Sequence, residues 1–220
     1  RKSFKAVDRV SRIIELGKDT YSNGFLGIDS INQICDVLNQ FKKKMKEYQV
    51  TEYRAFATSA VREADNAEIV LDAIKRNTNL EVKVLSNSEQ RYINLKGMVV
   101  KYEDFHQVVS KNTAFVDVGA GSVQVSLFDK NNLIVTENIP IGAVRVRDYL
   151  SILGSKSGRL DKIMSEYVEN DIVTFRNIYL NDKEIKKVIA VGEAAASIKK
   201  RQPNMGQCNR VSKEQFDEHY

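Results

Sequence analysis

Apolar residues recur at three- and four-residue steps through Ile31, Ile34, Cys35, Leu38, Phe41, Met45 and Tyr48. Spacing of this kind, sustained over several turns, predicts an amphipathic helix, with Asp29 or Ser30 as its cap. Upstream, residues 1–14 alternate irregularly, read as a candidate strand, and run into a glycine-bearing loop from Gly17 to Gly27. Downstream, Tyr53-Arg-Ala-Phe-Ala57 predicts a short strand, and Thr58-Ser59 opens the next turn. Asn66 is placed to cap a helix carrying Ile69, Val70, Ala73 and Ile74. Glu81-Val-Lys-Val-Leu85 predicts a second strand, and from Ser88 a helix presents Tyr92, Leu95, Met98, Val99 and Tyr102 on one side.

The texture changes after about Lys111. Alternation over 113–128 and 133–139 predicts a β-hairpin turned by Asp129-Lys-Asn-Asn132. Pro140-Ile-Gly-Ala143 leads into a short helix, and a Gly/Ser-rich loop follows from Gly154 to Gly158. A long helix is expected from about 159 to 178, a strand over Lys187-Val-Ile-Ala-Val191, and a helix near Ala194–Lys200. In the tail, Ser212 is the clear helix start. Alternating strands and helices followed by a meander predict an α/β protein of two lobes, residues 1–93 and 94–220.

Chemistry concentrates in Phe115-Val-Asp-Val-Gly-Ala-Gly-Ser-Val-Gln-Val-Ser-Leu-Phe128, which reads as strand, tight loop and strand with Asp117 at the mouth of the turn. Glycines let the backbone bend sharply and bring N–H groups close to a ligand. A carboxylate beside such amides can hold Mg²⁺, usually through water. Two readings stand at this point, a phosphate-handling hairpin and a plain β-hairpin with a glycine turn.

The 220 residues, 42% apolar and 29% charged, have the composition of an ordinary globular protein. No apolar run approaches the roughly 20 residues that span a bilayer, so no membrane association is expected. No signal-peptide pattern is visible, and a start at Arg1 rather than Met leaves room for an upstream segment. Cys35 and Cys208 lie far apart without metal-ligand spacing, and Cys35 falls on the apolar side of its helix, which predicts a buried free thiol. A reducing, cytoplasmic location fits. The net charge of +5 suits an anionic ligand. Lys42-Lys43-Lys44 is read as the solvated face of a helix, and His106 and His219 have no visible partners for catalysis or zinc binding. The basic charge is dispersed and no nucleic-acid motif is present, so nucleic acid is not an expected partner.

Four stretches taken together resemble the exopolyphosphatase / guanosine pentaphosphate phosphohydrolase (Ppx/GppA) family, within the actin-like ATPase superfamily. They are Ala57-Thr-Ser-Ala-Val-Arg-Glu-Ala-Asp-Asn66, Val84-Leu-Ser-Asn-Ser-Glu-Gln-Arg91, Val116-Asp-Val-Gly-Ala-Gly-Ser122 and Ile139-Pro-Ile-Gly-Ala-Val-Arg145. The resemblance implies two actin-like (ribonuclease H-like) lobes with an interlobe cleft. It implies Mg²⁺ as cofactor, and polyphosphate or guanosine penta- or tetraphosphate as substrate or partner; a homodimer is left open. By the same resemblance Arg62 is a phosphate-contacting arginine, with Thr58, Ser59, Asn66 and Gly142 as further substrate contacts. The residues alone also allow Arg62 as a surface arginine beside a helix start. Asp117 becomes the metal-associated aspartate, and Gly119, Gly121 and Ser122 the phosphate loop.

The chain departs from the family pattern where catalysis is expected. Gln90 stands where the resemblance puts a catalytic glutamate, and Gln124 where it puts the carboxylate closing the phosphate loop. Glutamine neither takes a proton from water nor offers a charged ligand to Mg²⁺. Glu89 is the adjacent carboxylate, but one helical step turns a side chain by roughly 100°. The late glycine turn of the family reads Val191-Gly-Glu-Ala-Ala-Ala-Ser197, with Glu193 in it, and the early Asp-x-Gly-Ser-Asn-Ser loop is absent from these residues. Three readings remain: a weak phosphoanhydride hydrolase with Mg²⁺ at Asp117, Arg62 clamping the phosphate, Gln90 and Gln124 at the expected catalytic positions, and Glu89 or a flank beyond these residues supplying the base; an inactive polyphosphate- or alarmone-binding regulator; and a partner that retains only the fold.

Overall fold

A computed structural model of the chain describes residues 6–101, 105–152, 160–180 and 183–192. They fall into two compact units, one of the described residues up to 97 with 144–152, and one of those in 98–143 with 160–180 and 183–192.

In the first unit the segment over residues 6–15 is not the strand its alternation suggests. Val7 and Ile13 are 79% and 93% exposed, so no sheet receives them. The expected glycine loop contains a helix, α1 (Leu16–Asn23). Gly17 sits in its first turn, and Gly24 and Gly27 follow its end. Gly24 ends it in the left-handed region at φ 82°, its N–H donating to the Thr20 carbonyl, a conformation glycine adopts without a Cβ penalty. The amphipathic helix is α2 (Ile28–Glu47), which starts just before the expected caps. Neither Asp29 nor Ser30 caps it. Asp19 instead accepts from the Gly27 N–H and the Ser30 hydroxyl, tying α1 to the start of α2.

The strands β1 (Ala55–Ala57) and β2 (Val82–Val84) pair in parallel, Ala55 opposite Val82 and Ala57 opposite Val84. Parallel pairing requires a crossover, and it is made by the short α3 (Ser59–Arg62) and by α4 (Ala67–Thr78). Leu26, Ile31, Ile34, Cys35, Val61, Ala64, Val70 and Ile74 form one buried cluster beneath these elements. Cys35 is a free, buried thiol as expected, with its pKa pushed up by burial. The helix α5 (Asn87–Lys101) follows β2 and begins one residue before the expected start.

The second unit is built on a four-stranded sheet. After the unanticipated short α6 (Phe105–Val108) come β3 (Thr113–Val118), β4 (Val123–Asp129) and β5 (Asn132–Ile139) as an antiparallel meander. Lys130 and Asn131, both at positive φ (49° and 66°), make the two-residue turn between β4 and β5. That backbone matches the twist of a tight hairpin. The helix α7 (Ala143–Ile152) returns to the first unit, and α8 (Leu160–Phe175) ends in a π-helical turn at Arg176–Leu180. β6 (Lys187–Val191) adds to β3 in parallel, giving the order β5-β4-β3-β6. Tyr179 closes onto the sheet, its hydroxyl donating to Glu137 at 3.1 Å. Cys208, His219, Glu193, the 154–158 loop and the helices expected at 194–200 and from Ser212 lie outside the described residues.

Candidate functional site

In the first unit, β1 ends at Ala57 and the chain turns at once. The Thr58 carbonyl accepts the N–H groups of Val61 and Arg62 at 3.1 and 2.9 Å, winding α3 so that Arg62 falls at its end. The Arg62 side chain is 17% exposed. Its Nη1 donates to the Leu85 carbonyl at 2.7 Å, at the end of β2, and lies 3.4 Å from Gln90 Oε1. Two elements brought together by parallel pairing therefore hold the guanidinium. Ser59 Oγ accepts from the Tyr21 hydroxyl at 3.0 Å. Asn66 does not cap α4 with its side chain. Its Oδ1 accepts from the Leu26 N–H and its Nδ2 donates to the Leu26 carbonyl. Both ends of the amide are thus engaged by one backbone residue.

Gln90 reaches Arg62 from the first turn of α5, but Glu89 is engaged elsewhere. Glu89 Oε2 accepts the Ser86 N–H at 2.9 Å, while the Ser86 hydroxyl accepts the Glu89 N–H at 3.2 Å. This reciprocal pair is a capping box, and Ser86 rather than Ser88 opens the helix. Lys83 Nζ, 2.5 Å from Glu89 Oε1, and then the Ser86 hydrogen bonds hold the carboxyl down at about 2. A carboxylate that resists protonation so strongly makes a poor general base near neutral pH.

In the second unit, β3 delivers Asp117 and β4 receives the returning chain. Gly119 donates its N–H to the Ser122 carbonyl at 2.9 Å, closing the turn, so this amide is occupied within the loop. Ser122 is buried. Gly142 lies directly beneath: a Cβ there would collide with the backbone of Ala120, Gly121 and Ser122. At the end of β6, Gly192 has φ 97°, and a Cβ on it would stand 2.8 Å from the Val118 carbonyl oxygen and 3.2 Å from Asp117 Oδ1. Bare backbone therefore packs against the loop from Gly142 and beside the carboxylate from Gly192.

Asp117 and Gln124 are direct partners across β3 and β4, and Asn138 is opposite Gln124 on β5. Residues in such register share a sheet face. Gln124 is 5% exposed, and among the described residues neither its Nε2 nor Asn138 Oδ1 has a hydrogen-bond partner. Burial raises the Asp117 carboxyl above its ordinary value.

Among the described residues no group of three or more His, Cys, Asp or Glu side chains is placed to hold a metal. Mg²⁺ is commonly held by one or two carboxylates plus phosphate oxygens and water. Asp117, half-buried beside bare backbone, fits that lean type of site, with Gln124 offering at most a neutral oxygen. Asp117 would hold such a cation, which would neutralise phosphate charge there.

Sequence reasoning missed Glu63, Tyr21 and Arg145. Arg145 pairs with Glu63 and stacks over the Tyr21 ring at 4.2 Å from its centroid. It ends the same Ile139–Arg145 stretch that supplied Gly142, and Glu63 follows Arg62 directly, so the motifs themselves carried the signal.

A family model described as the Ppx/GppA phosphatase family matches residues 1–218. The chain belongs to the Ppx/GppA family. Ppx/GppA relatives and others similar to it include a bifunctional 3-dehydroquinate synthase/phosphatase from Fusobacterium nucleatum, 26% identical over 147 residues, covering 66% of this chain and 22% of that protein. Exopolyphosphatase 1 of Mycobacterium bovis is 25% identical over 138 residues, 62% of this chain and 39% of its own. The Ppx/GppA chain thus spans less than two-fifths of the length of these curated relatives. A crystal structure of an exopolyphosphatase from Cytophaga hutchinsonii aligns with TM-score 0.68 at 22% identity, covering 88% of this chain and 63% of that one. That likeness establishes the α/β fold of the actin-like ATPase type. Among the described residues no helix is long and apolar enough to cross a membrane.

Proposed function

We propose that this Ppx/GppA chain handles polyphosphate or a related phosphoanhydride such as guanosine pentaphosphate, and that its hydrolysis is weak. In the first unit Arg62 grips phosphate oxygens; in the second, the Gly119–Ser122 loop with Asp117 is the place for Mg²⁺ and phosphate. The observation that carries the reading is the pairing of Gln90 with Arg62 while Glu89 is held in a capping box. The fixed guanidinium supports anion binding, since a planar fork matches phosphate oxygens. The amide beside it, and the amide Gln124 opposite Asp117, support slow turnover, because neither can accept a proton from water. The same geometry favours a second reading, a regulator that binds polyphosphate or an alarmone without turnover. A cytoplasmic location belongs to either reading.

Calorimetric titration with short-chain polyphosphate, comparing the parent with Arg62→Ala, tests the anion grip. Binding by the parent and a loss of about tenfold or more in Arg62→Ala is expected, as charge-assisted bidentate contacts are the strong ones. Equal binding by both, or none by the parent, overturns it.

A further inference from the structure

Arg62 is followed by an acidic residue, and a carboxylate next to an anion-gripping arginine works against it twice. It competes for the guanidinium and it repels the phosphate. Glu63 Oε1 stands 3.9 Å from Arg62 Nη2, at the outer edge of an ion pair. Its other oxygen, Oε2, is taken by Arg145 Nη2 in a close, charge-assisted contact. Glu63 is also fixed through its backbone, its N–H donating to the Ser59 carbonyl at 3.0 Å.

Arg145 is itself held in place. Its guanidinium lies over the Tyr21 ring, whose hydroxyl donates to Ser59 on the same short helix as Arg62. The Arg145 and Glu63 side chains are about one-quarter and one-third exposed. At that depth an ion pair retains more strength than at an open surface, where such pairs contribute little.

We propose that Arg145 is a positioning residue for anion binding: held over Tyr21, it neutralises Glu63 and keeps that carboxylate off Arg62, leaving the Arg62 guanidinium open to phosphate. The inference rests on the reading of Arg62 as the anion grip. Removing Arg145 leaves Glu63 uncompensated beside Arg62, free to pair with it and to repel an incoming phosphate. Neutralising Glu63 removes the need for Arg145. Arg145 thus acts through Glu63, and the two substitutions must couple.

The test is a double-mutant cycle on the full chain, with tripolyphosphate binding read by calorimetry and melting followed in parallel. Arg145→Ala weakens binding by about tenfold, the size expected of one uncompensated charge a few ångströms away in a partly screened site. Glu63→Gln tightens binding by roughly threefold, because it retains the shape and removes the charge. In the Glu63→Gln background, Arg145→Ala then costs less than about twofold. A merely structural role would give the same loss in both backgrounds, as would direct contact of Arg145 with the anion, and either result overturns the inference alone. Where Arg145→Ala does not fold, Glu63→Gln decides by itself, and unchanged or weaker binding overturns the proposal. Undiminished binding by Arg62→Ala, or none by the parent, removes the Arg62 reading and this inference with it.

Discussion

Gly142 is the position at which a single methyl group tells most about the phosphate loop. A Cβ built there would lie far inside van der Waals contact with the backbone of Ala120, Gly121 and Ser122. Backbone cannot rotate away as a long side chain can, so either the loop or the Pro140–Ala143 segment must move by roughly 1 Å to regain normal contact. Overpacking of this kind costs about 1–3 kcal/mol. For a chain of this size that corresponds to a fall in Tm of roughly 3–10 °C. Function suffers more than stability, because a displacement near 1 Å of positioned groups can cost up to about a hundredfold. Gly142→Ala should therefore melt several degrees lower and lose most of its short-chain polyphosphate binding, with its circular dichroism spectrum retained. A variant that melts and binds like the parent would show that the loop backbone does not rest on Gly142.

Asp117 is disfavoured as a carboxylate by burial, so its folded pKa lies above its unfolded value. The native state then retains the proton longer, and this group's contribution to stability falls as pH rises through that window. Asp117→Asn should raise Tm at pH 7, lose that advantage as pH falls towards 3.8, and abolish Mg²⁺-dependent anion binding; a lower Tm at pH 7 would contradict it. Glu89 is the reverse case, with its pKa lowered to about 2, so its stabilisation is present above 4.5 and lost as pH falls through about 2. Glu89→Gln should melt lower than the parent at pH 7, converge with it in acid, and leave any phosphate release unchanged; a large loss of turnover would make Glu89 the base after all. Asn66→Ala leaves both backbone groups of the buried Leu26 without partners, costing about 2 kcal/mol in urea denaturation, with tripolyphosphate affinity in the folded protein unchanged.

Much of the fold was legible because its signals are local and repeated. The α2 stripe, the β1 and β2 strands and the β3–β5 meander follow from periodicity and turn residues. The misreadings fell where tertiary contacts override local pattern. Val7 and Ile13 alternate like strand residues but stay largely exposed. Gly17 and Gly24 look like loop punctuation, yet Gly17 lies in the first turn of α1 and Gly24 supplies its left-handed end. Within the candidate site, residue identities were readable but engagements were not. That Asn66 is spent on Leu26, and Glu89 on Ser86 and Lys83, depends on partners up to 40 positions away or on which of two serines opens a helix. The Glu63–Arg145 pair spans 82 positions, a contact no spacing rule announces.

The central claim is that amides at 90 and 124 have weakened hydrolysis while phosphate binding persists. Mg²⁺-dependent phosphate release from polyphosphate by the full-length protein, measured beside Gln90→Glu/Gln124→Glu, tests it most directly. Position 124 is buried and opposite Asp117, so the new carboxylate should also lower Tm without Mg²⁺ and restore it with the ion. The account predicts very slow or undetectable release by the parent, and a gain of roughly tenfold or more when both carboxylates are restored. Robust turnover by the unmodified protein would contradict it.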